Sequence, residues 1–170
     1  MAVVVSFCRP KTERHLVAVI EKAGGEIRWL DFAPHRLYSA RGIAHHEGSL
    51  FVVGIAAGGS GLAVFDTIAW KLRGFSILDG IADVHSICMA DGAIIAASTG
   101  SDKIVRITDN GTNHTYETLW SPSSGEHDLN HVNAVCFHKG ELYCCAFGPK
   151  SSDRWKSAQN GYIYNITRNK

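Results

Sequence analysis

The chain is most readily bounded by what it lacks. Its 170 residues carry 17 Lys and Arg against 16 Asp and Glu, so there is no basic excess and no basic stripe. A nucleic-acid backbone, which rewards clustered cations, is therefore not the expected partner. No apolar run approaches the ~20 residues that would span a bilayer as a helix. The opening Ala2-Val3-Val4-Val5-Ser6-Phe7-Cys8 is apolar but short, lacks a basic start and is closed by Arg9-Pro10, so it reads as a strand and not as a secretion signal. A soluble, cytoplasmic protein is the expectation. The five cysteines form no C-x-x-C pair and lie in strand-like apolar runs, which predicts small buried thiols and no metal site. Neither a nucleophile elbow nor a metalloprotease motif occurs. The glycine-rich stretch Gly54–Gly61 lacks the lysine and helix of a phosphate-binding loop and reads as a flexible turn between strands.

Internal repetition is what the sequence does have. Three segments superimpose on a turn glycine: Arg41 to Val53 around Gly48, His85 to Ala97 around Gly92, and Asn133 to Cys145 around Gly140. The glycines follow one another at intervals of 44 and 48 residues. Each segment reads as strand, Glu/Asp/Lys-Gly turn, strand, the glycine supplying the positive φ that tight hairpins require. A third strand follows each hairpin (Gly61–Asp66, Lys103–Thr108, Gly161–Ile166), and a fourth follows two of them (Trp70–Ile77, Thr115–Trp120). Before the first hairpin, Val3–Cys8, Leu16–Glu21 and Glu26–Asp31 fit a unit without its innermost strand. Apolar positions alternate or come in β-branched blocks, and 17 glycines speak against long helices.

The fold expected is all-β, with β-propeller-type blades of four antiparallel strands. Approximate blades are 1–38, 39–80, 81–127 and 128–170 of a single domain, about three and a half in number, with three, four, four and three strands. Such a set is a partial propeller or half of a larger ring, and its open edges invite pairing with other chains. A longer protein or, if the chain is complete, a homo-oligomer would close it, with closure on itself as four irregular blades ranked third.

The register gathers polar residues. Seven positions before each turn glycine stand Arg41, His85 and Asn133; nine before stand Ser39, Asp83 and His131. Equivalent positions at the start of inner strands lie around the mouth of a propeller channel, while Ile43, Ile87 and Val135 just inside are apolar. Polar groups converging on an apolar wall predict a ligand site made of Arg41, His85, Asn133, Asp83, His131 and Ser39. Arg41 offers a planar fork to a carboxylate or phosphate. His85 and His131 are the candidate acid–base residues. Asp83 could orient a histidine, Asp128 could hold His131 or cap its turn, and both could equally serve only loop amides. The stretch Pro149–Asn160 is long for a connection within a blade, and its Lys150, Arg154, Trp155 and Lys156 read as a lid over the mouth or a partner-binding loop.

Taken in order, Asp83-Val-His85, Leu119-Trp120-Ser-Pro122, Asp128-Leu-Asn-His131-Val-Asn133, Ala146-Phe-Gly148 and the loop to Asn160-Gly161 resemble a family of bacterial β-propeller proteins about twice this length. The likeness covers the N-terminal half of that family and implies its fold, not a reaction. It departs at Arg154-Trp155-Lys156, where the family has a Gly before a Trp-Arg pair. More distantly, the plan is similar to calcium-dependent lactonases, strictosidine-synthase-like enzymes and streptogramin lyases. Three functions follow as expectations. One is a module binding a small polar or anionic molecule, or a peptide, at the mouth. Another is a His-dependent hydrolase, lactonase or lyase, in which a divalent cation would be an optional helper. The last is a protein-interaction scaffold. No other cofactor is expected.

Overall fold

The computed structural model describes residues 2–8, 15–21, 25–35, 37–109, 114–123, 127–152 and 155–170. Among these are fourteen strands in chain order: β1 (Ala2–Ser6), β2 (Val17–Glu21), β3 (Ile27–Trp29), β4 (Gly42–His46), β5 (Ser49–Ala56), β6 (Gly59–Asp66), β7 (Leu72–Ile77), β8 (Val84–Ala90), β9 (Ala93–Ser98), β10 (Lys103–Asp109), β11 (His114–Trp120), β12 (Val132–His138), β13 (Glu141–Ala146) and β14 (Tyr162–Asn165). They form four antiparallel meanders: β1-β2-β3, β4-β5-β6-β7, β8-β9-β10-β11 and β12-β13-β14. The chain divides into two compact units, residues 1–79 and 80–170, each with two sheets. Among the described residues no helix is long and apolar enough to cross a membrane.

The three turn glycines do what the repeat implies. Glu47-Gly48, Asp91-Gly92 and Lys139-Gly140 all have positive φ, from 45° to 50° at the first residue and 73° to 79° at the glycine. These are the type I′ geometries whose twist matches that of paired strands. Each closes a two-residue hairpin, between His46 and Ser49, Ala90 and Ala93, and His138 and Glu141.

Within the first unit, Val17, Val19, Leu50, Val52 and Phe65 are buried between the two sheets, and Phe65 meets Phe32 edge to face at 5.0 Å. In the second unit, Ile95, Ile104, Val135, Leu142 and Cys144 form the core, and Trp120 of β11 stacks on Tyr164 of β14 at 4.9 Å. Phe65 and Trp120 thus serve packing, as their places in the strands suggest.

Three local expectations are corrected. Gly54–Gly61 is no flexible turn: β5 runs through Ala56 and β6 begins at Gly59, so only Ala57 and Gly58 connect them. The glycine at 54 answers a close approach, since a Cβ there would lie 1.7 Å from the Ser39 carbonyl oxygen. Trp70, at φ 54°, belongs to a turn, and the fourth strand starts at Leu72. The cysteines are not uniformly buried, for Cys8 and Cys136 are exposed. Strand alternation explains Cys136: its neighbour Val135 faces the core, so Cys136 faces out.

Candidate active site

Two β-bulges set the site. Along β8 the ladder passes from Val84 opposite Ser98 to Ser86 opposite Ala97, leaving His85 as the extra residue. Along β12 it passes from Val132 opposite Ala146 to Ala134 opposite Cys145, leaving Asn133 extra. A bulge inserts one residue into the pairing and re-aims its side chain, a frequent device beside binding sites. The result is a direct contact between the two bulged residues, with His85 Nδ1 2.9 Å from Asn133 Oδ1. The equivalent residue of the first unit, Arg41, donates its N–H to Val53 O at 2.8 Å although Gly42 is the register partner of Val53.

Two residues upstream of each bulge the backbone is left-handed: Asp83 has φ 51° and His131 φ 52°. Asp and His tolerate this conformation better than most residues, yet it costs free energy that the surroundings must supply. Here it turns both side chains toward the bulged residues. Asp83 Oδ2 lies 3.2 Å from His85 Nε2, and the rings of His85 and His131 meet edge to face with centroids 5.0 Å apart. Asp128 accepts from His131 Nδ1 at 3.1 Å.

The two imidazoles differ. His85 is engaged at both nitrogens, by Asp83 and by Asn133. As an imidazolium it donates to both; as a neutral ring it is accommodated when the Asn133 amide presents its NH₂ to Nδ1. His131 is tied through Nδ1, to Asp128, and among the described residues its Nε2 makes no hydrogen bond. Its side chain is 13% exposed, against 21% for His85.

An aromatic wall stands beside His131. Phe147 and Trp155 lie 4.6 and 4.4 Å from its ring, and Lys150 Nζ sits 4.1 Å from the Trp155 ring centroid. The long loop supplies this wall because it is pinned to the approach of β12: Phe147, Gly148 and Lys150 donate backbone N–H groups to His131, Asn130 and Leu129. A 3₁₀ turn at Trp155–Ser157 then returns Trp155 to the histidine, while Ser157 Oγ accepts from Ser151 and Ser152.

Of the residues that the register singles out, Asp83, His85, His131 and Asn133 come together within the second unit, with Trp155 beside them. Lys156 is exposed in the 3₁₀ turn, and Arg154 lies outside the described residues. Ser39 and Arg41 belong to the first unit, where Ser39 is buried and its Oγ accepts from Ile55 N–H at 3.3 Å. Lys150, read from the sequence as part of the same loop, lies over the Trp155 ring; sequence reasoning missed the segment Ser98–Asp102. The only signal for that segment is a run of small polar residues at the end of an apolar strand, where solvent-facing residues look the same.

A different concavity, of about 540 Å³, lies on the second unit and is lined by His138, Lys139, Glu141, Tyr143, Ile163, Asn165, Arg168 and Lys170. Its carboxylate is already used, since Glu141 accepts from Tyr143 and Asn165 at 2.6 Å and from Arg168. The histidine cluster has the chemistry, and we take it as the site. Among the described residues no three His, Cys, Asp or Glu side chains gather as a bound metal ion would require.

Comparison with known proteins bears on the fold. Virginiamycin B lyase from Staphylococcus aureus superimposes with a TM-score of 0.59 at 19% identity, over 78% of this chain and 42% of that one. The luciferin-regenerating enzyme gives 0.59 at 15%, over 86% and 49%. A gluconolactonase from Xanthomonas campestris gives 0.54 at 16%, over 84% and 44%. The sheets are propeller blades. The chain spans about half or less of the length of these three propellers. No family model matches it, and no curated protein does.

Proposed function

We propose that the blade mouth on residues 80–170 binds a small polar or anionic molecule and that His131 moves a proton on it, in lactone hydrolysis or a related elimination. The observation that carries this reading is the Asp128–His131 pair, an imidazole held at Nδ1 by a carboxylate with its Nε2 left for the ligand. In a lactone hydrolysis, Nε2 takes a proton from water as its oxygen attacks the carbonyl carbon. The ring C–O bond then breaks, and the same proton passes to the departing alkoxide. His85, fixed by Asp83 and Asn133, would orient the ligand beside it. Lys150, held over Trp155, supplies a positive charge for a carboxylate or phosphate group. That two propellers similar to this chain are by name a lyase and a gluconolactonase supports the reaction class. The Asp-x-His and His-x-Asn elements are also those that resemble the bacterial propeller family.

The test is proton release from a series of small five- and six-membered lactones. His131→Gln should lower kcat by about 10²–10⁴-fold, the usual worth of a positioned acid–base group. Turnover undiminished in that variant would refute the role of His131. A second reading, binding without turnover, is favoured by Lys150 over Trp155. It predicts an inactive wild type that still takes up small carboxylates.

A further inference from the structure

The polar segment that closes β9 lies beside both histidine arms. Ser98 Oγ donates to Ala82 O at 3.1 Å and accepts from Ala82 N at 3.0 Å, immediately before Asp83. Thr99 Oγ1 donates to Val132 O at 2.7 Å, immediately after His131. Asp102 is the centre of the arrangement on the His131 side. It is fully buried, at 0% exposure, and stands in a left-handed conformation, φ 50°. Its Oδ2 accepts from the backbone N–H of Leu129 at 2.8 Å and of Asn130 at 2.6 Å, and from Asn130 Nδ2 at 3.1 Å. Its Oδ1 accepts from Val132 N at 3.3 Å.

A buried carboxylate must be matched by donors, and hydrogen bonds to an ionised group are the stronger kind. Among the described residues every donor to the Asp102 carboxylate belongs to the four-residue stretch that contains His131, and the three backbone donors bracket it on both sides. Holding the amides of 129, 130 and 132 leaves residue 131 little choice of backbone angle. The bonds thus account for how His131 keeps its unfavourable positive φ, and with it the line from Asp128 through the imidazole to the ligand space.

We infer that Asp102 is the positioning residue of His131, acting across from one blade to the next through the backbone on either side of it. It touches no ligand in this arrangement and is not a catalytic residue. The consequence for turnover rests on the proposed role of His131, but the positioning can be measured without any substrate.

The experiment uses the whole chain labelled uniformly with ¹⁵N, and follows the His131 ring resonances and backbone amide hydrogen exchange. Asp102→Asn replaces one acceptor oxygen by a donor that faces the same N–H groups. It should shift the His131 ring signals, broken free from Asp128 and Trp155, and speed exchange at Leu129, Asn130 and Val132 at least about tenfold. Ile107→Ala, in the buried core of β10 at the far end of the ladder, is the control for general destabilisation and should leave the His131 signals in place. Asn130→Ala keeps the carboxylate and removes only one side-chain donor, so it should move the same signals less and in the same direction. It also covers the case in which Asp102→Asn fails to fold. Unmoved His131 signals in the soluble variants, with exchange no faster than in Ile107→Ala, would overturn the positioning role, whether or not His131 proves to turn over a lactone.

Discussion

Asp83 and His131 adopt the same left-handed backbone, φ 51° and 52°, each nine residues before the glycine of its blade's hairpin turn. One repeat position therefore carries a carboxylate in one blade and an imidazole in the next. Both are turned inward by the same unfavourable angle, and the site is the product of a single backbone device used twice.

The bulge contact between His85 and Asn133 has a separable effect. Asn133→Ala removes the 2.9 Å bond to His85 Nδ1. The stability cost should be about 1 kcal/mol, the usual net worth of one hydrogen bond. If His85 orients the ligand, KM for any active lactone should rise more than kcat falls. Urea unfolding and steady-state kinetics on the same preparation separate the two.

Lys150→Ala should weaken binding of small carboxylates by about tenfold and reduce its salt dependence, since a charge near the surface is screened by ions. Trp155→Ala should do the same and also lose affinity for neutral analogues, because it removes the wall beside His131. Isothermal titration at two salt concentrations distinguishes them. Equal affinity in all three proteins would remove the loop from the binding surface.

Glycine substitutions should separate two reasons for having no side chain. Gly92→Ala places a methyl in open space but at φ 75°, at a cost of about 1–2 kcal/mol. Gly54→Ala has no adverse φ but drives its Cβ to 1.7 Å from Ser39 O, so backbone must move and the loss should be larger. Chemical denaturation gives both values, and a milder effect at 54 than at 92 would contradict the close packing of the Ser39 segment.

Acid should destabilise the protein through identifiable carboxylates. Donation from the Ala69 and Ile68 amides, with Arg73 alongside, holds Asp66 below the ordinary carboxyl range against a smaller opposing effect of burial. The Tyr143 hydroxyl, Asn165 and Arg168 do the same for Glu141. A depressed folded-state value means that the stabilisation is present above the unfolded carboxyl range and is lost as pH falls below about 4, through the folded-state value. Melting temperatures from pH 7 to pH 2 should therefore drop less steeply for Asp66→Asn and Glu141→Gln than for the wild type.

Thiol chemistry should follow exposure. Burial pushes Cys88 up to about 11 and Cys144 up to about 12, so neither is a thiolate near neutrality. Iodoacetamide should mark the exposed Cys8 and Cys136 first and reach Cys144 only on unfolding, as read by peptide mass spectrometry.

The sequence by itself determined the blades. Hairpin turns and alternating strands are local, set by a glycine that must take positive φ and by side chains that must choose a face, so Gly48, Gly92 and Gly140 announce them directly. It also marked Asp83, His85, His131 and Asn133 as equivalent stations of one repeat, although the extents of the Gly54 and Trp70 segments were misread, because a glycine serves close packing as readily as a turn. Only the tertiary structure decided that the bulged His85 and Asn133 meet, that Trp155 of the long loop stands beside His131, and that the Asp102 carboxylate accepts amides on both sides of His131 from another blade. Those facts depend on two bulges and on contacts between residues far apart in the chain, and such contacts leave no periodic trace in the order of amino acids.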